Sequence, residues 1–394
     1  MMETQRWVLP EGIEELLPHH AKQVDELRRH LLSLFHTWGY DLVIPPLIEY
    51  MDSLQVGSGE DLSALTFKLI DPLNGRLLGV RSDMTPQVAR IDARRLQHQG
   101  PARLCYLGPV LQTKASELGG SRSPIQVGAE LYGHAGIESD FEIVDLMIEA
   151  LSKAGVNPIY LDLGHVNVFR GLAKQAQLSK DQEQAFFNAL QRKSQPELLE
   201  LSQVIDNKKV AMMMQALIEL NGGEEVFSQA RTFLASASSD VLAAIDRIEA
   251  LAKQIQNKYE MVQLHFDFAE LRGYGYHTGL VFAAYAPGNW QAIAKGGRYD
   301  EIGAVFGRSR PATGFSLDLN MLLRLNNNNQ DTQASGIFAP AEEDSDLEKI
   351  IQGLRQQGER VIRELPGQQL DMNELGCDRK LVKKAQQWQV ERLT

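Results

Sequence analysis

Four short segments hold more polar and glycine residues than a buried strand tolerates, and each has the residue types to do chemistry. Arg81-Ser82-Asp83-Met84-Thr85-Pro86 stands where a strand gives way to a helix. A carboxylate and a hydroxyl at such a junction can both face a ligand ammonium, and they can equally cap the helix. In Gln126-Val127-Gly128-Ala129-Glu130, alternation puts Gln126, Gly128 and Glu130 on one strand face. A glycine between two polar groups leaves room for something small, although a solvent-facing edge has the same pattern. Leu271 to Gly279 packs two tyrosines, one histidine and three glycines into nine residues. The glycines let backbone approach a ligand, and Arg272, Tyr276 and His277 supply hydrogen bonds, which a plain tight turn does not need. Lys295-Gly296-Gly297-Arg298-Tyr299-Asp300, taken alone, is an ordinary loop, because it lacks the context of a phosphate-binding glycine loop.

The elements around these segments follow from periodicity. Residues 14 to 38 predict an amphipathic helix, with Val24, Leu27, Leu31, Leu34 and Phe35 at spacings of three and four and Gly39 as its stop. Residues 65 to 81 predict a hairpin turning at Asp71-Pro72-Leu73-Asn74-Gly75. A helix follows from about Pro86, capped by Asp83 or Thr85. Arg103 to Gln112 and Pro124 to Tyr132 predict two strands around a Gly/Ser-rich loop, then a helix over Phe141 to Lys153 and a strand over Ile159 to Leu163. Residues 166 to 257 are helical in pattern and form an inserted domain. Strands return at Val262 to Phe268 and Gly279 to Tyr285, with Gln291 to Ala294 continuing them, and Ala312 to Leu325 is expected to close with a helix. The polar stretch 326–336 is expected to be a linker. Residues 337–394 then make a small α/β domain. Hairpin-linked strands with helices grouped around them imply an α+β body on an antiparallel sheet, filling residues 1–325.

Composition narrows the classes. With 394 residues, 43% hydrophobic and 23% charged, the chain is ordinary for a globular protein of more than one domain. A net charge of -11 disfavours general nucleic-acid binding. The two cysteines, Cys105 and Cys377, stand apart with no ligand-spaced histidine. No disulfide framework or metal site is therefore expected, and a reducing cytoplasm is. No apolar run is long enough for a membrane span.

Taken in order, the segments resemble histidyl-tRNA synthetase and its class II relatives over residues 5 to 325. Tyr40 to Glu49 is similar to motif 1, the dimer-forming segment, and Val80 to Ala89 to the segment that holds the α-amino group of histidine. Tyr106 to Glu130 resembles motif 2, Leu271 to Thr278 the histidine-recognition segment, and Gly296 to Asp300 with Gly314 to Leu317 the run into motif 3. The resemblance implies a histidine pocket. Asp83, Thr85 and Gln126 would hold the ammonium, Glu130 would accept from the imidazole, Arg272 would sit near the carboxylate, and Tyr276 and Tyr299 would line the ring. His277 stands where the family has a second tyrosine.

The departures shape the expected function. Gln112 and Lys114 occupy the positions of the synthetase's phosphate-gripping Arg-x-Glu unit, and Met321 that of the motif 3 arginine. Adenylation needs fixed cations on developing phosphate charge, and losing one such donor costs about 10²- to 10³-fold. A synthetase-like chain that keeps the amino-acid pocket and loses the phosphate grip resembles HisZ, the regulatory-subunit family of the short-form ATP phosphoribosyltransferase. The strings Leu271 to Phe282 and Arg310 to Asp318 fit that family better than the active synthetases. The resemblance implies a non-catalytic protein without cofactor. It would activate a catalytic subunit of the short HisG type in the first step of histidine biosynthesis and confer inhibition by histidine. It also implies a dimer within a hetero-oligomer and no tRNA partner. A divergent synthetase, or another synthetase-derived ligase or amino-acid sensor, is the alternative.

Overall fold

The structure, a computed structural model, describes residues 7–54, 63–115, 120–271, 273–325, 336–367 and 374–393. The chain divides into two compact units, Met1–Asn326 and Asn327–Thr394.

The first unit opens with helix α1 (Pro18–Thr37). Its predicted stripe of Val24, Leu27, Leu31, Leu34 and Phe35 is the buried face. Pro18 sits in its first turn, and Gly39 at φ +81° turns the chain away beyond its end. Then come β1 (Asp41–Leu42), β2 (Ile48–Tyr50), the single turn α2 (Met51–Leu54), and the predicted hairpin as β3 (Phe67–Ile70) and β4 (Leu77–Val80). Strands β2, β4 and β3 make a small antiparallel sheet. Helix α3 (Thr85–Ile91) begins with Pro86 in its first turn, as predicted, but its N-cap is Met84 and neither Asp83 nor Thr85 caps it in the usual way. Asp83 Oδ1 instead accepts the Thr85 N–H at 3.0 Å from outside the helix. A short π-helix, Asp92–Leu96, continues α3.

Next are β5 (Ala102–Pro109), β6 (Ile125–Tyr132), α4 (Ile137–Lys153) and β7 (Ile159–His165). The insertion follows as α5 (Val166–Gln175), α6 (Lys180–Gln191), α7 (Gln195–Leu201), α8 (Lys208–Ala216), the two-residue β8 (Asn221–Gly222), α9 (Glu225–Phe233) and α10 (Ser239–Lys258). His165 caps α5 by accepting the Asn167 N–H on Nδ1, and burial drives its pKa down to about 3, so the ring stays neutral and free to accept. The body closes with β9 (Val262–Asp267), β10 (Leu280–Tyr285), β11 (Ala294–Arg298), β12 (Ala312–Asp318) and α11 (Leu319–Leu325).

Two expectations change here. Lys295 to Arg298, read as loop, is strand β11, and Ala312 to Asp318, read as the front of a helix, is strand β12. Both strands are rich in glycine and polar residues, which obscured their period. Their backbones are fixed by neighbours on both sides.

The strands join in one nine-stranded sheet of order β1-β5-β6-β12-β11-β10-β7-β9-β8. Its six central strands, β5 to β7 in that order, are antiparallel throughout. Only the β1–β5 and β7–β9 pairs are parallel. This is the α+β body that the sequence implies. Helices α1, α4 and α10 contribute Leu31, Phe35, Met147, Leu151, Ile245 and Ile248 to the main core with Val127, Leu161 and Phe315 of the sheet. Each such fully buried side chain contributes about 1.5–3 kcal/mol.

The second unit is built on β13 (Ile337–Ala339), α12 (Ser345–Gln356), β14 (Val361–Arg363), β15 (Arg379–Lys384) and β16 (Gln387–Arg392). The sheet order is β14-β13-β15-β16, over a core of Ile337, Leu347, Ile351, Val361, Leu381 and Trp388. Of the stretch expected to be a linker, residues 326–335 lie outside the described residues.

Candidate functional site

Strands β5, β6, β12 and β11 lie side by side, and their register decides what shares a face. Gln126 pairs with Asp318, Gly128 with Ser316 and Glu130 with Gly314, while Tyr106 pairs with Gly128 and Gly314 with Gly297. Residues directly opposite point the same way. Gln126, Gly128, Glu130, Tyr106, Gly297 and Gly314 therefore face one side, and the glycines form a floor without side chains.

That floor is already covered by polar groups. A methyl group at Gly314 would lie 1.6 Å from Glu130 Oε2 and 2.5 Å from the Tyr299 hydroxyl. At Gly128 it would meet the Tyr106 hydroxyl at 2.4 Å, and at Gly297 the His277 ring at 2.6 Å. Tyr276 stacks on Tyr299 with ring centroids 5.0 Å apart, and the His277 ring stands edge-on to Tyr276 at 5.3 Å. The structure thus brings together Glu130, Tyr276, His277 and Tyr299. The glycines are a steric requirement here. Gly314→Ala is expected to displace Glu130 and Tyr299, lower stability by about 1–3 kcal/mol, and close the floor to any small ligand. Paired thermal melts with and without ligand would check this, and a retained ligand-induced shift would contradict it.

The other predicted residues join the same cluster. Thr85 Oγ1 donates to Glu130 Oε1 at 3.0 Å, and the Tyr106 hydroxyl donates to the same oxygen at 3.0 Å. Gln126 Nε2 donates to Asp83 Oδ1 at 2.8 Å, and Gln126 Oε1 accepts the Met84 N–H at 2.9 Å. Asp83 is therefore held as an acceptor with Oδ2 left over. Arg272 lies outside the described residues. Tyr106, absent from the sequence-derived set, is fully buried and is a direct partner of Glu130. Its place follows from the β5–β6 register, which sets Tyr106 opposite Gly128 and Gly108 opposite Gln126.

The electrostatics are lopsided. Glu130 is 1% exposed, and burial pushes its carboxyl well above the usual range, against the pull of the Tyr106 and Thr85 hydrogen bonds. Among the described residues, Glu130 Oε2 and the hydroxyls of Tyr276 and Tyr299 are buried without a hydrogen-bond partner. Each unmet buried polar group costs about 1–3 kcal/mol. Three of them around one glycine floor can accept from and donate to a small planar ligand that carries ring N–H and N groups.

Beside this floor opens a cleft of about 260 Å³. Asp83 and Gln126 form part of its wall, with Ser82, Gln112, Lys295, Asp318 and Met321. Among the described residues, Lys295 is the one basic side chain in that wall. Asp318 Oδ1 accepts the N–H groups of Ile125 and Asn320, and burial raises its pKa to about 6. The positions where phosphate would be gripped, Gln112 and Met321, thus line the cleft as neutral side chains.

Comparison with known proteins follows the same lines. The family model for histidyl-tRNA synthetase matches residues 12–322, and the model for the ATP phosphoribosyltransferase subunit HisZ C-terminal domain matches residues 334–391. An ATP phosphoribosyltransferase regulatory subunit of Nitrosococcus oceani is 53% identical, covering 98% of this chain and 97% of that protein. One from Thioalkalivibrio sulfidiphilus is 52% identical, covering 99% of each. Among solved structures, an ATP phosphoribosyltransferase regulatory subunit/histidyl-tRNA synthetase of Bacillus halodurans superposes with a TM-score of 0.82 at 25% identity, covering 94% of this chain and 96% of that one. A Nostoc histidyl-tRNA synthetase shares the fold, with a TM-score of 0.76 at 17% identity over 98% of this chain and 94% of that one.

Proposed function

This chain belongs to the family of ATP phosphoribosyltransferase regulatory subunits, and from that premise we propose that it acts without catalysing a reaction itself, on a catalytic partner of the short HisG type. It raises the partner's activity, and histidine bound in the Glu130 pocket lowers it. The observation that carries the ligand assignment is the half-satisfied Glu130 carboxyl: one oxygen is fixed by Thr85 and Tyr106, and the other is buried and unpartnered over a glycine floor.

The residues have distinct roles in this reading. Glu130, its proton released on binding, accepts from an imidazole N–H on Oε2, and the stacked pair Tyr276 and Tyr299 lines one side of the ring. Asp83 Oδ2, with Thr85 and Gln126, takes the α-ammonium, because Gln126 fixes the other Asp83 oxygen. Arg272 is assigned to the α-carboxylate by resemblance alone. His277, packed over Gly297, holds the far side of the ring. Regulation then follows from linkage: histidine favours one conformation, and the partner's activity differs between conformations. No cofactor enters this scheme. The neutral Gln112 and Met321 in the cleft wall support the absence of adenylation, since the charge on a transferring phosphate needs fixed cations.

Self-association as a dimer within the hetero-oligomer is supported by an apolar run near β1, β2 and β3. There Leu42, Ile44, Leu47, Ile48, Leu69 and Ile70 are exposed. No described helix is long and apolar enough to cross a membrane. We assign the protein to the cytoplasm with its biosynthetic partner, and the net charge of -11 argues against tRNA as a ligand.

The test is the steady-state rate of a short-form catalytic subunit with and without this protein, and then with histidine. Activation that histidine reverses is the expected result. No activation and no co-purification would overturn the reading. In parallel, ATP–pyrophosphate exchange with histidine should be at background, and measurable exchange would put the divergent synthetase first.

A further inference from the structure

The π-helix Asp92–Leu96 ends at Gln97 in a left-handed conformation at φ +52°, and residues 94 to 101 are exposed. Such π-turns are rare and concentrate at functional positions. The turn is stapled to the loop before β12. Arg310 Nη1 donates to Asp92 Oδ1 at 3.2 Å and to the His98 carbonyl at 2.9 Å, and Arg308 Nη2 donates to the same carbonyl. Arg94 reaches Gly307, with Nη2 at 4.0 Å from where a Cβ would stand. The two segments therefore form one surface, under which Ala93, Ile302, Phe306 and Ala312 pack together.

This surface has a charge excess that the chain does not answer. Other arginines of the body are answered, Arg90 by Glu49, Arg103 by Glu142, Arg247 and Arg298 by Asp140, and Arg81 and Arg170 by backbone carbonyls. Among the described residues, Arg94 and Arg95 have no ion-pair partner, and Arg308 Nη1 is buried without any acceptor. The acidic residues close by are Asp92, which Arg310 already engages, and Glu301 at the start of the loop. The same two segments expose Leu96 at 38% and Val305 at 51%. Guanidinium groups beside exposed aliphatic side chains are the composition of a protein interface, where arginine is enriched. A nucleic acid is the poorer fit, because the patch is small and sits on a chain of net charge -11.

We propose that Arg94, Arg95, His98 and Arg308, with Leu96 and Val305, form the docking surface for an acidic segment of the catalytic partner. This rests on the regulatory reading, and it adds a site and a charge to it. The carboxylates of that segment take the exposed guanidinium groups of Arg94 and Arg95, with Arg308 adding positive charge behind them, and an apolar side chain beside them covers Leu96 and Val305.

The experiment titrates the full-length protein into a short-form catalytic subunit and reads activation and direct binding, for wild type and for Arg94→Glu/Arg95→Glu. The double variant is expected to bind at least about tenfold more weakly, with histidine binding to the isolated protein unchanged. Wild-type affinity should fall as salt rises from 50 to about 200 mM, and the variant should lose most of that dependence. Arg94→Gln/Arg95→Gln, which adds no repulsion, should fall between the two and guards against misfolding of the glutamate pair. Unchanged binding in both variants overturns the proposal while leaving the regulatory reading intact. Absence of binding by wild type overturns both. If the double variant instead loses dimerisation, or if wild type binds an RNA or DNA oligonucleotide through these arginines, the partner assignment is wrong.

Discussion

Glu130→Gln is expected to weaken histidine binding by about 10²-fold, because a carboxyl that releases its proton on binding accepts the imidazole N–H in a charge-assisted hydrogen bond of roughly 2–3 kcal/mol that an amide cannot form, without destabilising the unliganded protein at pH 7. The two halves of this expectation come from one fact. Glu130 is buried and its carboxyl titrates well above the ordinary range, with desolvation the first cause. Between the ordinary carboxyl pKa and that raised value, the folded chain holds a proton that the unfolded chain has released. Unfolding stability therefore falls as pH rises through that window. Glutamine does not titrate, so the variant should lose this slope and gain on wild type as pH rises above the ordinary carboxyl range. Thr85 and Tyr106 can still donate to an amide oxygen, so the scaffold is preserved. The second position of the amide would place an NH₂ where Oε2 accepts once the ligand has displaced its proton, and a ligand N–H would meet a donor that cannot deprotonate. Calorimetric titration with histidine and melts across the pH range would decide it. A variant that binds within threefold of wild type, or that shows the wild-type pH slope, would remove Glu130 from the centre of the site.

The same residue illustrates what the sequence made legible. Gln126, Gly128 and Glu130 declared a polar strand face by alternation, and the hairpin over 65 to 81 and helix α1 were evident from period and turn chemistry. The strands that complete the floor were not. Lys295 to Arg298 and Ala312 to Asp318 carry Gly296, Gly297 and Gly314, which have no side chains to mark a face. Their strand identity comes from pairing with β6 and β10, a tertiary fact. Tyr106 was passed over for a related reason. Its role depends on standing opposite Gly128, so it becomes visible only once the register of β5 on β6 is known. The functional departures, Gln112 and Met321, were readable in order along the chain, and the structure adds that both line one cleft with Asp83.

Removing Arg298 is expected to destabilise the fold severely. The segment around it, taken alone, read as an ordinary loop, yet its guanidinium is 4% exposed and turned into the protein. Nε donates to Asp140 Oδ1 at 3.0 Å and Nη2 to Ser139 Oγ at 2.8 Å, while Nη1 reaches the His134 carbonyl at 3.2 Å and Asp300 Oδ1 at 3.1 Å. One side chain thus ties β11 to the start of α4, with Asp140 1% exposed beneath it. Breaking a buried pair by deleting one partner costs about 3–5 kcal/mol, because the remaining charge stays buried. Arg247 also reaches Asp140, at 2.8 Å, so part of that charge is still answered and Arg298→Ala should fall near the lower end. Arg298→Lys should recover only a fraction, since an ammonium cannot span acceptors on both sides of the fork. The consequence reaches the pocket through the chain itself, because Tyr299 follows directly and Gly297 supports the His277 ring. Chemical denaturation would measure the stability loss, and histidine titration below the transition would show weakened binding that the lysine partly restores. If Arg298→Ala unfolds at the wild-type midpoint, the Asp140 pair does not hold β11, and the placement of Tyr299 must rest on its stacking with Tyr276.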